Sequence, residues 1–237
     1  IYLFDVENAE LAGAKEVTAA HELLHAQYAR LNIFERPRVD AMIKKAYQKV
    51  KNEPEIAKAM EYYREAEPGA ELDELHSIIG TTIGELDSDL EQYYARYFTD
   101  RASIVAKNQA YTAVFTRVNT RAEALQSKLQ SAAKQIKQDV EAYQSDLSQI
   151  NADINSFNER ARSGEFSSQA DFAVARSALQ QRISAINARQ SSLNSRIKAY
   201  NDDVATLKSL AVKADQLNQS INGVAAPAGV NSGQSAQ

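Results

Sequence analysis

Apolar positions follow three patterns along the chain, and each predicts a different kind of element. Ile1 to Val6 alternates bulky apolar residues with others over a few positions, the period-two signature of one short edge strand. From about Ala14 to Leu31 the period changes. Val17, Ala20, Leu24, Tyr28 and Leu31 recur at threes and fours, which describes a helix with one buried face. Pro37 falls at the first turn of a second helix through Val39, Ile43, Tyr47 and Val50, and Asn52-Glu53-Pro54 closes it and opens a third through Ile56, Met60 and Tyr63. Pro68-Gly69 marks a turn. A fourth helix starts near Glu71 and carries Leu72, Leu75, Ile79 and Ile83, and Leu86 to Phe98 reads as a further helix rich in aromatics.

Beyond Asp100, a capping residue, the pattern becomes a sustained heptad: Val118, Ala122, Leu125, Leu129, Ala132, Ile136, Val140, Tyr143, Leu147, Ile150, Ile154, Phe157 and Ala161. Two successive steps of four, Ala132 to Ile136 to Val140, form a stutter that locally unwinds a supercoil. Ser163-Gly164 stops this helix, and Ser168 with Asp171 three residues on predicts a capping box for the next. The seam then resumes through Phe172, Ala175, Leu179, Ile183, Ile186, Leu193, Ile197, Tyr200, Val204, Leu207, Ala211 and Ile221. Two long amphipathic helices joined by a short break bury both seams by folding back on each other, so an antiparallel coiled-coil hairpin is expected. Its seam is thin, with several Ala and the polar Gln190, which leaves room for a partner or self-association. The expected organisation is a mainly α chain: a small helical domain with one edge strand over residues 1–100, the hairpin over 101–222 and a disordered tail over 223–237, too poor in bulky apolar side chains to order itself.

Composition narrows the functions. The net charge of -4, with Lys and Arg scattered among acids, provides no basic stripe for a phosphate backbone, so nucleic acid is not an expected partner. No apolar run approaches the roughly 20 residues that span a bilayer, and no membrane span is expected in this chain. The chain starts without Met in a strand-like run, so a preceding segment, with any signal or anchor, is expected upstream. The Gln, Asn and Ser of the hairpin point towards an exported bacterial protein, in the cell envelope or outside the cytoplasm.

With no Cys, any metal must be held by imidazole and carboxylate, and the three His all fall in the first hundred residues. His21 and His25 stand four apart on the first helix, so their imidazoles leave the same face one turn apart and can grip one ion. Glu22 is offset by one residue. There its carboxylate can take a proton from water beside the metal and return it to a leaving amine. Zn2+ suits this donor set, since it accepts N and O ligands in tetrahedral geometry and is redox-silent. A chance His-Glu-x-x-His on an ordinary helix is the competing explanation, and the periodic helix around this one favours the metal.

The run Val17-Thr18-Ala19-Ala20-His21-Glu22-Leu23-Leu24-His25-Ala26 resembles the metal-binding helix of the zincin superfamily of metallopeptidases. The span from Ile1 to Arg101 is also similar to that of uncharacterised bacterial proteins classed as metallopeptidases. The resemblance implies zinc on His21 and His25, Glu22 as general base and hydrolysis of a peptide or protein substrate. It also implies a third ligand on a later helix, and Glu74-Leu75-His76-Ser77 looks like the arrangement in zincins whose third ligand is Glu, which favours Glu74. His76 is the rival: it shares a face with Leu72, Ile79 and Ile83, where a hydrogen-bonded core residue is the plainer explanation, but near a metal it could ligate or steady an oxyanion as a catalytic residue. Glu85, followed four residues later by Asp89, is a third option. The run Leu90 to Phe98 could also supply a Tyr hydroxyl to an oxyanion, although such a stripe more often packs helices and no particular Tyr is singled out.

Two function classes follow. One is zinc-dependent peptide-bond hydrolysis with the hairpin positioning the domain on a partner. The other is a non-catalytic coiled-coil scaffold or adaptor carrying a degenerate metallopeptidase-like domain.

Overall fold

A computed structural model of the protein describes residues 6–221. Every regular element in that span is helical, and the fold is mainly α. The strand expected over Ile1 to Val6 lies outside the described residues except for Val6, which belongs to no regular element, and the tail expected to be disordered, residues 223–237, lies wholly outside them. A single turn of 3-10 helix at Ala9–Leu11 is followed by α1 (Ala14–Ala29), α2 (Glu35–Val50), α3 (Pro54–Ala66), α4 (Glu71–Thr82), α5 (Ser88–Tyr94), α6 (Arg101–Ser163) and α7 (Gln169–Ile221). Two compact units result. Among the described residues, one gathers 6–120 with 211–221, and the other is Arg121–Leu210.

In the first unit α4 is the central helix. Every residue from Glu74 to Thr81 is buried, so this helix is covered on all sides rather than along one stripe. Its sequence allows that because Ser77, Gly80 and Thr81 are small. Gly80 marks the closest approach: a Cβ there would crowd a methyl of Leu24 on α1 and come within 2.8 Å of the Tyr94 ring. Around it Leu24 and Tyr28 of α1, Ile43 and Val50 of α2, Ile56 and Met60 of α3, and Leu90, Tyr93 and Tyr94 of α5 form one apolar core with Leu75, Ile78 and Ile79. Each such side chain contributes roughly 1.5–3 kcal/mol when fully buried.

The helix ends show why the boundaries differ by a few residues from those the periodicity predicts. α2 starts at Glu35, ahead of Pro37, because the Asn32 side-chain oxygen accepts from the N–H groups of Phe34 and Glu35, at 2.9 Å each. Pro37 then occupies the first turn, where a missing N–H costs nothing. α3 opens on Pro54, and Gly69 takes φ +95° in the turn before α4. α5 covers only Ser88–Tyr94 of the stretch predicted from Leu86 to Phe98. At its start Asp87 is extended and held by Lys45 and Lys49; at its end the N–H groups of Arg96 and Tyr97 donate to carbonyls three residues back, which tightens the last turn.

Arg101, the first residue of α6, is buried and organises what precedes it. Its guanidinium donates to the carbonyls of Ile83 (2.6 Å) and Gly84 (2.9 Å) just past α4 and to the Glu91 carboxylate on α5 (2.8 Å). Five donors in a planar fork suit this task, which a Lys could not perform. At the other end of the chain, Leu217 and Ile221 of α7 are buried, Lys213 pairs with Glu10 at 2.8 Å, and the Asn8 amide donates to the Ser220 hydroxyl.

The second unit is an antiparallel pair formed by the remainder of α6 and α7, each arm spanning about 65 Å at 1.5 Å per residue. Arg182–Asp153, Arg189–Asp146 and Arg196–Asp139 ion pairs advance seven residues along one arm for seven back along the other. Lys128–Asp203, at 2.6 Å, lies one helical turn off that series, on the side of the stutter at Ile136 to Val140. At the bend Gly164 takes φ +72° and the Glu165 N–H closes on the Arg160 carbonyl at 3.0 Å. The Ser168 hydroxyl then accepts from the Asp171 N–H (3.0 Å), while the Asp171 carboxylate reaches back to the Ser167 N–H (3.2 Å). Phe157, Phe166 and Phe172 cluster over the turn with ring centroids 5.2–5.4 Å apart.

Candidate metal centre

α1 delivers the two imidazoles and α4 a carboxylate to the same point. His21 and His25 leave one face of α1 a turn apart, and their Nε2 atoms stand 3.0 Å from each other. Glu74, in the first turn of α4, brings Oε2 to 3.7 Å from His21 Nε2 and Oε1 to 3.6 Å from His25 Nε2. One donor atom from each of the three lies within 4.8 Å of the others. Ligands of a tetrahedral ion at 2.0–2.1 Å stand about 3.3 Å apart, and the observed separations fall on either side of that value. Glu74 is buried, and its Oε2 has no hydrogen-bond partner. A buried carboxylate oxygen without a donor is costly, and a cation between it and the two imidazoles would remove the cost.

Asp73 supplies what the sequence reading missed. Its Oδ1 is 2.8 Å from His25 Nδ1, so the ring donates from Nδ1 and keeps the Nε2 lone pair for the cluster. Burial works against a charge on His25, but the Asp73 hydrogen bond together with the Glu74, Asp73 and Glu22 charges outweighs it and raises the imidazole pKa. An electron-rich imidazole surrounded by acids is a site that attracts a cation. Tyr63 on α3 completes the surroundings: burial first, then the adjacent Glu74 charge, holds its proton on well above the ordinary phenol range. The signals in the sequence were weak, because Asp73 is one of several acids at the start of α4 and Tyr63 one of many tyrosines.

The other expected residues are placed as follows. Glu22 is half-buried on α1, one residue on from His21, and near enough for its charge to act on His25. His76 does not join the ligand set. It has no exposed surface, its Nε2 is 2.9 Å from the Tyr93 hydroxyl, and its ring lies among Tyr28, Tyr93 and Tyr94 at 5.2–5.5 Å. Burial drives its pKa down to about 4, so it is a neutral core imidazole at ordinary pH. Tyr94, whose hydroxyl donates to the His76 carbonyl at 2.7 Å, fixes α5 against α4 at this point. Glu85 and Asp89 are exposed, Glu85 in the loop after α4, and neither joins the cluster.

A cavity of about 60 Å³ opens beside His21, between α1, α3, α4 and the root of α6. Among the described residues no helix is long and apolar enough to cross a membrane. No family model, curated protein or solved structure matches this chain.

Proposed function

We propose that the protein is a zinc-dependent peptidase in which His21, His25 and Glu74 hold the ion and Glu22 is the general base. The observation that carries this reading is the convergence of two Nε2 atoms and a buried, unpartnered carboxylate oxygen at ligand spacing. Zinc held there would supply Lewis acidity, polarising a carbonyl and lowering the pKa of water beside it towards about 7. Glu22 then takes the proton from the attacking water and delivers it to the leaving amine nitrogen as the C–N bond breaks. Asp73 keeps His25 in the tautomer that ligates.

Elemental analysis after zinc loading tests the centre. About one zinc per chain is expected for the natural sequence and for Glu22→Gln, and a loss of zinc for Glu74→Gln and His25→Ala. Peptide hydrolysis by Glu22→Gln is expected to fall by about two to four orders of magnitude with its zinc retained. Full activity in zinc-loaded Glu22→Gln would end the base assignment, and failure of the natural sequence to take up zinc would end the whole reading. A second reading, a scaffold or adaptor, draws support from the register-specific ion pairs of Arg121–Leu210, and it is what remains if zinc does not bind.

A further inference from the structure

Ile33 and Phe34, between α1 and α2, are 80% and 83% exposed, the barest large apolar side chains among the described residues. Hydrogen bonds hold them there. The Asn32 side-chain oxygen accepts from the Phe34 and Glu35 N–H groups, its amide donates to the Glu35 carboxylate at 2.8 Å, and its carbonyl accepts from the Arg36 N–H at 3.0 Å. The Arg36 guanidinium donates to the Tyr28 carbonyl at 2.7 Å and lies over the Tyr28 ring, tying the loop to the end of α1. Phe34 already has helical backbone angles, which set it with Pro37 and Ala41 on the side of α2 opposite the buried Val39, Ile43, Ala46 and Val50.

Cations surround this apolar tip. α2 carries Arg36, Arg38, Lys44, Lys45 and Lys49 against Glu35 and Asp40, in a chain whose net charge is -4. Asp40 is engaged by the Tyr28 hydroxyl and Glu35 by Asn32 and Arg96, while Lys45 and Lys49 share Asp87. Arg30, Arg38 and Lys44 are exposed and form no ion pair among the described residues, although Glu35 and Asp89 share a shallow groove with Arg38.

We infer that Ile33, Phe34 and Pro37 enter the interface of an anionic lipid bilayer, with Arg30, Arg38 and Lys44 on its headgroups. A bilayer interface accepts apolar side chains and the cations beside them at once, and its mobile headgroups need no fixed pattern of charge. A second copy would instead set these like charges against each other across a two-fold axis. Three unpaired cations are too few to grip a nucleic-acid duplex. The inference goes beyond the zinc reading and does not depend on it. Where both hold, His25 lies one turn before the end of α1, so docking of the adjoining loop keeps the centre near the membrane surface.

Flotation of the full chain with vesicles tests it, using phosphatidylcholine alone or with roughly a third phosphatidylglycerol. Binding is expected on the anionic vesicles, at least about tenfold weaker on the neutral ones, and weaker again as salt rises from about 0.05 to 0.5 M. Arg38→Ala together with Lys44→Ala should weaken it by about 25-fold, about fivefold for each cation. Phe34→Ser should weaken it by about tenfold with the charges intact. The chain has no Trp, so Phe34→Trp is a single reporter, and its emission should move to shorter wavelength on anionic vesicles alone. All of these positions are exposed, and an unchanged helical signal checks that each variant folds. No flotation, equal flotation with both kinds of vesicle, undiminished flotation of Phe34→Ser, or flotation without a Trp shift overturns the inference. So does a dimer, seen in sedimentation, that Phe34→Ser dissolves. Failure of the chain to take up zinc would end the peptidase reading and leave these outcomes unaltered, so the two fail separately.

Discussion

At the residue scale the proposed centre depends on which atom of each imidazole is free. His25 is oriented by Asp73 at 2.8 Å, and no comparable carboxylate contact is made by the Nδ1 of His21 among the described residues. Asp73→Asn is nearly isosteric but can present a donor where an acceptor is needed, so the ring can settle in the wrong tautomer. We expect zinc affinity to fall by about 10- to 100-fold, read by competition with a chromogenic chelator, with secondary structure unchanged. An unaltered affinity would show that Asp73 is only a neighbour. This residue also shows where sequence reasoning stops. His21 and His25 were legible because four residues along one helix fix their relative placement without reference to anything else. Glu74 was legible only through resemblance, and Asp73 not at all, since which acid of Glu71, Asp73 and Glu74 meets α1 depends on how α4 is rotated. His76 was legible in its plainer form: a lone imidazole on an apolar face found a hydroxyl, that of Tyr93.

At the element scale α4 explains both what the periodicity could reveal and what it could not. Apolar spacing located the helix, but a helix buried from Glu74 to Thr81 has no polar face to fix its orientation, so its contacts with α1 and α5 remained hidden. Small residues carry that information instead. Gly80 is in a helix interior, where Ala is normally favoured by about 1 kcal/mol, yet Ala here would press on Leu24 and Tyr94. Overpacking of this kind typically costs about 1–3 kcal/mol, so Gly80→Ala should lower the denaturation midpoint and, by displacing α4 from α1, weaken zinc binding as well. Thermal unfolding with and without zinc checks it, and a stabilised variant would mean that the contact relaxes freely. The hairpin presents the opposite case. Its heptads, its stop at Ser163-Gly164 and its cap at Ser168 were all legible because they are local, whereas the pairing register emerged only from the Arg–Asp series, which joins residues far apart in the chain.

At the scale of the whole molecule the two units are built from different forces, and raising the pH should separate them. The unit containing α1–α5 buries Tyr28, Tyr93, Tyr94 and Tyr111, and in each case burial is the largest cause of a raised phenol pKa, with Tyr28 pushed up to about 12 with help from Asp40, which accepts its hydroxyl at 2.8 Å. A group whose folded pKa lies above its unfolded value of about 10 contributes stability that is complete below pH 10 and is lost as the pH climbs through the folded value. Several tyrosines acting together therefore predict a cooperative alkaline transition of this unit between about pH 10 and 12. The hairpin of Arg121–Leu210 is joined by guanidinium–carboxylate pairs, and guanidinium keeps its charge throughout that range. Exposed pairs of this sort are worth only about 0–1 kcal/mol each, but they lose nothing as the tyrosines ionise, so the hairpin should keep its helix. Ultraviolet absorbance of tyrosinate and far-ultraviolet circular dichroism, followed together against pH, check the prediction. Buried tyrosines should ionise in one steep step accompanied by a partial loss of helical signal. A gradual titration centred near pH 10 with no helical change would show that these hydroxyls are open to water and that burial in this unit is weaker than its structure requires.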